Sequence, residues 1–415
     1  MTSAKGRAGN GRSSIYQDKD GRWHGRVSMG VRDDGREDRR HVRGRNQREV
    51  IRKVRELERA RETGQIAAAG RAPSVDAWLT HWVEKVAAPS VRPKTLAGYR
   101  TAVNRHLIPR IGRHRLDRLT PEHIEAMYAS LLADGLAPAT VHQAHRTLRT
   151  ALGEAFARGR IVVNPAVRAK APRLDEAEVE PLDLTEAKAI LKATESRDNG
   201  ARYAIALAVG LRQGEALGLR WDDVSLDDDT PTMTIRRALQ RHTWQHGCAA
   251  AEPCGRRRGA DCPQRRGGGL VLVPPKSRAG RRTIPLPEPL VVALRAHRKS
   301  QLEQRMVAGQ LWVDYGLVFC QPNGRPIDPR ADLREWKAVL MRAGVRDARL
   351  HDARHTAATM LLVQGVDPRT VMDLLGWSHI TMTRRYQHVV DQLRTEATRR
   401  VGNLLWGDGM ATSSN

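Results

Sequence analysis

Residues 350–356 read Leu350-His351-Asp352-Ala353-Arg354-His355-Thr356, and residues 374–386 read Leu374-Leu375-Gly376-Trp377-Ser378-His379-Ile380-Thr381-Met382-Thr383-Arg384-Arg385-Tyr386. On a helix, positions three apart share a face, so His351 and Arg354 point the same way. Alone, that spacing is common by chance, and a lone helical Tyr such as Tyr386 is usually a packing residue. Two more stretches lie upstream. Val209-Gly210-Leu211-Arg212-Gln213-Gly214-Glu215-Ala216-Leu217-Gly218-Leu219-Arg220-Trp221 sets Arg212 at a helix end, where surface charge would explain it equally well. Pro275-Lys276-Ser277-Arg278-Ala279-Gly280-Arg281-Arg282-Thr283-Ile284-Pro285-Leu286 reads as a hairpin turn with Lys276 at its mouth. Scarcity adds weight: Lys276 is the only lysine between Lys192 and Lys299, and the chain has six Tyr.

Composition bounds the partner. The 415 residues carry 71 Lys+Arg against 46 Asp+Glu, a formal net charge of +25. Most of the basic residues are Arg, whose paired donors match phosphate oxygens, so an anionic partner such as nucleic acid is expected. A GC-rich genome also inflates Arg. Four cysteines argue against a disulfide framework. The start shows no apolar signal core, and the longest apolar stretch, 204–211, is far short of a membrane span. The expected setting is cytoplasmic, bacterial and DNA-associated, with no membrane.

The chain is long enough for about three domains. In residues 1–72, a Gly-, Ser- and Arg-rich start expected to be disordered precedes a short run around Tyr16. Asp20-Gly21 then signals a hairpin before Trp23 to Met29. A third strand is expected near His41-Val42, and Val50, Val54 and Leu57 mark an amphipathic helix over 46–62. This segment holds 19 Lys/Arg against 10 Asp/Glu. Residues 73–170 read as four helices: Ser74 to Val86, Pro93 to Leu107, one capped by Thr120-Pro121-Glu122, and 138–158 carrying Val141, Leu148, Leu152 and Phe156. Residues 171–184 read as a linker. Residues 185–415 alternate helices (187–194, 201–211, 288–308, 329–343, 351–364, 368–375, 379–388, 391–405) with short strands (232–235, 270–273, 282–286). The fold class is therefore mainly α with small β elements (α+β).

The order Arg, Lys, His-x-x-Arg, Gly-Trp, Tyr in the latter half of a basic chain resembles the tyrosine recombinases, the phage-integrase family of site-specific DNA strand-exchange enzymes. Residues 209–221, 350–362 and 374–388 each resemble a family box, and 73–170 and 14–62 are similar to the family's core-binding and arm-binding domains. The resemblance implies a catalytic set of Arg212, Lys276, His351, Arg354, Trp377 and the nucleophile Tyr386, with Glu215 supporting. Most relatives have His where this chain has Trp377. The family's reaction implies a 3′-phosphotyrosine intermediate and no cofactor, metal or ATP. It implies double-stranded attachment sites, a homotetramer on two duplexes, a directionality factor and a host DNA-bending protein. Other readings are a DNA-binding regulator on the same fold, against which stand the filled boxes, and a type IB-like topoisomerase, against which stands the arm-like N-terminal module. No spaced carboxylate triad favours a metal-dependent transposase.

One feature remains outside this scheme. An insert over 240–269 carries His246, Cys248, Cys254 and Cys262 among Arg256, Arg257, Arg258, Arg265 and Arg266. Cys and His can bind zinc, but no Cys-x-x-Cys is present, and the expected form is a disordered basic loop near DNA, with a zinc site as the alternative.

Overall fold

The computed structural model describes residues 13–31, 37–62, 72–174, 180–249, 253–379, 398–403 and 405. The chain divides into two compact units, Met1–Glu176 and Ala177–Asn415. Helices dominate and the sheets are small and antiparallel, as the sequence pattern predicts.

The first unit opens with a three-stranded antiparallel sheet of β1 (Ser14–Gln17), β2 (Trp23–Val31) and β3 (Glu37–Gly44). Asp18 accepts from the N–H groups of Asp20 and Arg22, which closes the β1–β2 turn. Helix α1 (Gln47–Glu62) lays Val50 and Val54 against Val27 and Met29 of the sheet.

The helical part follows. Helix α2 (Val75–His81) continues into a π-helical stretch, Trp82–Ala87, and α3 (Pro93–Thr101) into another, Ala102–Leu107. Then come α4 (Ile108–Ile111), α5 (Pro121–Ala133), α6 (Pro138–Ala157) and α7 (Pro165–Arg168). Proline opens α3, α5, α6 and α7, where its missing N–H costs nothing. Thr120 caps α5 as its sequence predicts. Trp78, Trp82, Leu107, Ile124, Leu148 and Leu152 share one core. Phe156, expected on the inward stripe of α6, is exposed; Ala155 takes the buried position instead.

The second unit contains α8 (Leu184–Thr194), α9 (Ala201–Ala208) and α10 (Gln213–Leu217), then β4 (Val224–Ser225), β5 (Thr232–Ile235), β6 (Ala238–His242), β7 (Gly269–Val273) and β8 (Arg282–Pro285). Helices α11 (Glu288–Ala308), α12 (Pro329–Arg342), α13 (Leu350–Val363) and α14 (Pro368–Leu375) follow. Strands β4, β5 and β8 form one sheet, in that order, and β6 pairs with β7 in a separate hairpin. Leu182, inside the stretch expected as a linker, is buried, and its N–H donates to Thr356 Oγ1 on α13 at 2.8 Å. The helix expected over 201–211 stops at Ala208. The helix expected over 379–388 lies outside the described residues except for His379, as does that over 391–405 except for 398–403 and 405.

The insert between β6 and β7 departs from the disordered loop expected of it. Residues 243–249 and 253–268 fold back on themselves. Gln245 and Arg266 exchange both backbone hydrogen bonds, at 2.9 and 3.0 Å, extending the hairpin. The Arg265 guanidinium stacks over Trp244 at 4.7 Å. Backbone pairing and a stacked aromatic give this polar stretch an order that its composition conceals.

Candidate active site

The chemistry-bearing candidates converge on the end of α14. An α-helix leaves its last carbonyls without intrahelical partners, and the helix dipole gathers partial negative charge there, so cations are favoured. Three consecutive carbonyls at this end each accept from a different arginine. Leu374 O takes Arg282 Nε at 2.7 Å, Leu375 O takes Arg354 Nη2, and Gly376 O takes Arg212 Nη2 at 3.1 Å. Two of these arginines, Arg212 and Arg354, are sequence-predicted site residues brought together from positions far apart in the chain.

Each guanidinium is held from a second side. Arg354 is buried in α13, and its Nη1 donates to Gly210 O at 2.6 Å. Gly210 has φ +62°, and a Cβ there would lie 2.6 Å from Leu375 Cδ2 and 3.2 Å from Ala357 Cβ. Glycine is therefore required for α13 and α14 to close on the turn after α9. Arg212 caps the start of α10, and its Nη1 donates to Glu215 Oε1 at 2.6 Å. Its side chain stays 38% exposed.

Glu215 is the hub. Its buried carboxylate accepts from Arg212 Nη1, from the Arg212 backbone N–H at 3.2 Å and from Arg282 Nη2 at 2.9 Å. Burial pushes its pKa up, but the Arg282 and Arg212 guanidiniums outweigh that and hold it below the ordinary carboxylate value. Arg282 also donates to Gly280 O at 3.2 Å. Gly376 closes the arrangement: its φ is +64°, and a Cβ there would lie 2.8 Å from Ala279 O and from Arg282 Nη1. The turn over 274–281, which carries exposed Lys276, is thereby seated against the end of α14.

His351 lies in the first turn of α13, one turn before Arg354, and meets His355 edge-on at 4.9 Å. Its ring reaches solvent, yet the protein packed around it displaces water. That desolvation, and then the charges of Arg354 and Arg212, lower its pKa from the ordinary 6.5. The ring is thus neutral at neutral pH. Trp377 is buried with Ala358, Leu362, Val371 and Leu375, its ring centroid 5.8 Å from the Arg354 guanidinium carbon. Tyr386 lies outside the described residues.

Two contributors escape a reading of sequence alone, Arg282 and Gly210, while Gly376 is marked there only as the glycine of the Gly-Trp pair. A signal for Arg282 exists. It shares the inward face of β8 with buried Ile284, and a charge at an inward strand position requires a buried partner of opposite sign. Apart from this site, one metal-competent group occurs among the described residues: His246, Cys248, Cys254 and Cys262, whose ligand atoms all lie within 4.8 Å of one another.

Residues 267–392 match the phage integrase family, and residues 75–132 match the phage integrase N-terminal SAM-like domain. An integrase of Saccharopolyspora erythraea is 50% identical over 437 residues, spanning 98% of this chain and 100% of its own length. An integrase of Streptomyces ambofaciens is 26% identical over 89% of each chain. In fold, the chain is similar to the Tn1549 transposon integrase in complex with transposon right end DNA (TM-score 0.63, 19% identity, 79% of this chain and 99% of that one). It is also similar to a lambda integrase tetramer bound to a Holliday junction (TM-score 0.50, 16% identity, 90% and 94%). The half-identical relative matched along its whole length settles descent: the chain belongs to the phage integrase family of site-specific tyrosine recombinases, enzymes that break and rejoin DNA.

Proposed function

We propose that this chain is an integrase that cuts and rejoins double-stranded DNA at specific attachment sites, through a 3′-phosphotyrosine on Tyr386, to integrate and excise a mobile element. The observation that carries the reading is the set of arginines fixed on the carbonyls of Leu374, Leu375 and Gly376, directly before the segment that leads to Tyr386. Arg212 and Arg354 face the nonbridging oxygens of the scissile phosphate. They stabilise charge developing on pentacoordinate phosphorus, with no reorganisation at the moment of reaction. A free tyrosine has a pKa of about 10, so Tyr386 needs a cationic setting and a proton acceptor. Neutral His351 is that acceptor. Lys276 protonates the leaving 5′-oxygen, and Trp377 donates its indole N–H to a phosphate oxygen. Glu215, held between Arg212 and Arg282, aims the arginines and touches no substrate.

The phosphotyrosine conserves the energy of the broken bond, so a 5′-hydroxyl from a second strand reverses the step. No metal, nucleotide or other cofactor enters this scheme. A structural zinc would be a separate matter, since its ligands lie beyond the end of the β6–β7 hairpin opposite Lys276. Residues 1–72 serve as the arm-type DNA-binding domain, 73–170 as the core-binding domain and 185–415 as the catalytic domain, with 171–184 joining the last two. Four protomers synapse two duplexes, in keeping with the tetrameric lambda neighbour, and a directionality factor and a host DNA-bending protein set the outcome. The test is a nicked attachment-site duplex from the ends of the host element, incubated with chelator and without ATP. A protein–DNA adduct that survives denaturation is expected, and its absence at the attachment site would refute the reading.

A further inference from the structure

The insert between β6 and β7 is unlike anything strand exchange requires. It has little apolar material: Cys262 is its one fully buried hydrophobic residue among those described. A polar loop of that length holds a single conformation only if something other than a core organises it. Four side chains that share no role in DNA cleavage point at one another there. His246 Nδ1 lies 3.3 Å from Cys254 Sγ and 4.0 Å from Cys248 Sγ, and the ligand atoms of all four residues are within 4.8 Å. A tetrahedral zinc with bonds of about 2.3 Å to sulfur and about 2.0 Å to nitrogen sets its ligand atoms roughly 3.5–3.8 Å apart. The observed spread brackets that range.

The surroundings suit a metal thiolate. The backbone at Gly247, between ligands His246 and Cys248, packs tightly against Gln264, two residues beyond Cys262. Gly247 makes this close approach possible, since a Cβ there would lie 1.9 Å from Gln264 O. All four cysteines of the chain are free thiols. The ligands come from two arms, His246 and Cys248 just beyond β6, and Cys262 from the short 3-10 turn Gly259–Asp261, with Cys254 between. Joining the arms would lock the end of the hairpin in register. Three thiolates around a dication leave one negative charge, and Arg256, Arg257, Arg258, Arg265 and Arg266 flank the ligands in the chain to offset it.

We propose that His246, Cys248, Cys254 and Cys262 form a structural Cys3His zinc site that folds the 243–268 insert into a rigid knuckle on the β6–β7 hairpin. The set is closed, with four protein ligands and no open position, so the ion is structural and takes no part in catalysis. The proposal stands on the insert alone and is independent of the assignment of strand exchange.

The test uses the full chain purified without chelator. Elemental analysis should find about one zinc per chain, and Cys254→Ser should bring it close to zero, while Cys320→Ser, in a separate core, leaves it intact. A second readout keeps the idea testable if Cys254→Ser fails to fold. Cys248 and Cys254 are only half-buried, so without a metal they should react at once with a thiol reagent in the native protein. With zinc bound they should be protected, and a chelator should expose them. Zinc near zero, immediate reaction of both thiols, a disulfide among the three cysteines, or full zinc retention by a folded Cys254→Ser protein would each overturn the proposal.

Discussion

Replacing Glu215 by Ala should damage stability and cleavage together. The carboxylate is buried between two cations, Arg212 at 2.6 Å and Arg282 at 2.9 Å, and the Arg282 side chain is only 7% exposed. Removing the acid leaves Arg282 as a buried charge without its counterion, a loss of about 3–5 kcal/mol. In a domain of 150–250 residues each kcal/mol moves the melting temperature by roughly 2–4 °C, so a fall of about 6–20 °C is expected. The pair also has a pH signature. The folded-state pKa of Glu215 is lowered from 4.5, so its contribution is present above the unfolded value and disappears as pH falls through the lower folded one. The wild-type advantage over Glu215→Gln should therefore persist at pH 6 and shrink only below about 4.5. Thermal unfolding followed by circular dichroism, with single-turnover cleavage on the same samples, measures both effects. In a double-mutant cycle, Glu215→Ala with Arg282→Met should recover much of the lost stability, because neither charge is then stranded. Strict additivity of the two changes, or a Glu215→Ala protein within 1 °C of wild type, would refute the argument.

Gly376→Ala should lose most cleavage, because its Cβ would collide with Ala279 O at 2.8 Å and displace the Lys276 turn; wild-type single-turnover rates in a folded variant would contradict this. Because the His351 pKa is lowered from 6.5 and the proposed mechanism makes the neutral ring the acceptor, cleavage should hold down to about pH 6.5 and fall only on further acidification. A pH–rate profile whose acid limb lies above 6.5, or one unchanged by His351→Gln, would count against it. Trp377→Phe should lose roughly 2.7–4 kcal/mol of transition-state stabilisation, whereas Trp377→His keeps a ring donor. Rates on a nicked core site with Phe at or above His would show that packing alone is what Trp377 supplies.

Much of this architecture is legible in residue order. Thr120-Pro121, the Asp20-Gly21 turn and the valines of α1 mark their elements because caps, turns and apolar stripes are local chemistry. The approach of Arg212 to Arg354 is not local. It follows only from the resemblance of the boxes, and its physical cause, the unpaired carbonyls at the end of α14, appears once the fold is known. The signal for Arg282, an inward charge on the face of Ile284, is faint because β8 is only four residues long. Strand β4, with two residues, and β6, adjoining the insert, carried no pattern of their own. The composition of the insert, heavy in Arg and Gly, points to disorder, whereas its order comes from the Gln245–Arg266 pairing and the convergence of four side chains spread over 246–262.

In the proposed mechanism Tyr386, which follows α14 and Gly376 in the chain, attacks DNA. The most direct measurement is peptide mapping by mass spectrometry of the adduct trapped on a nicked attachment-site duplex, run beside Tyr386→Phe. A nucleotide on Tyr386 is expected, with no adduct from the Phe variant, which should still bind the duplex. An adduct on any other residue, or an undiminished one from Tyr386→Phe, would contradict it.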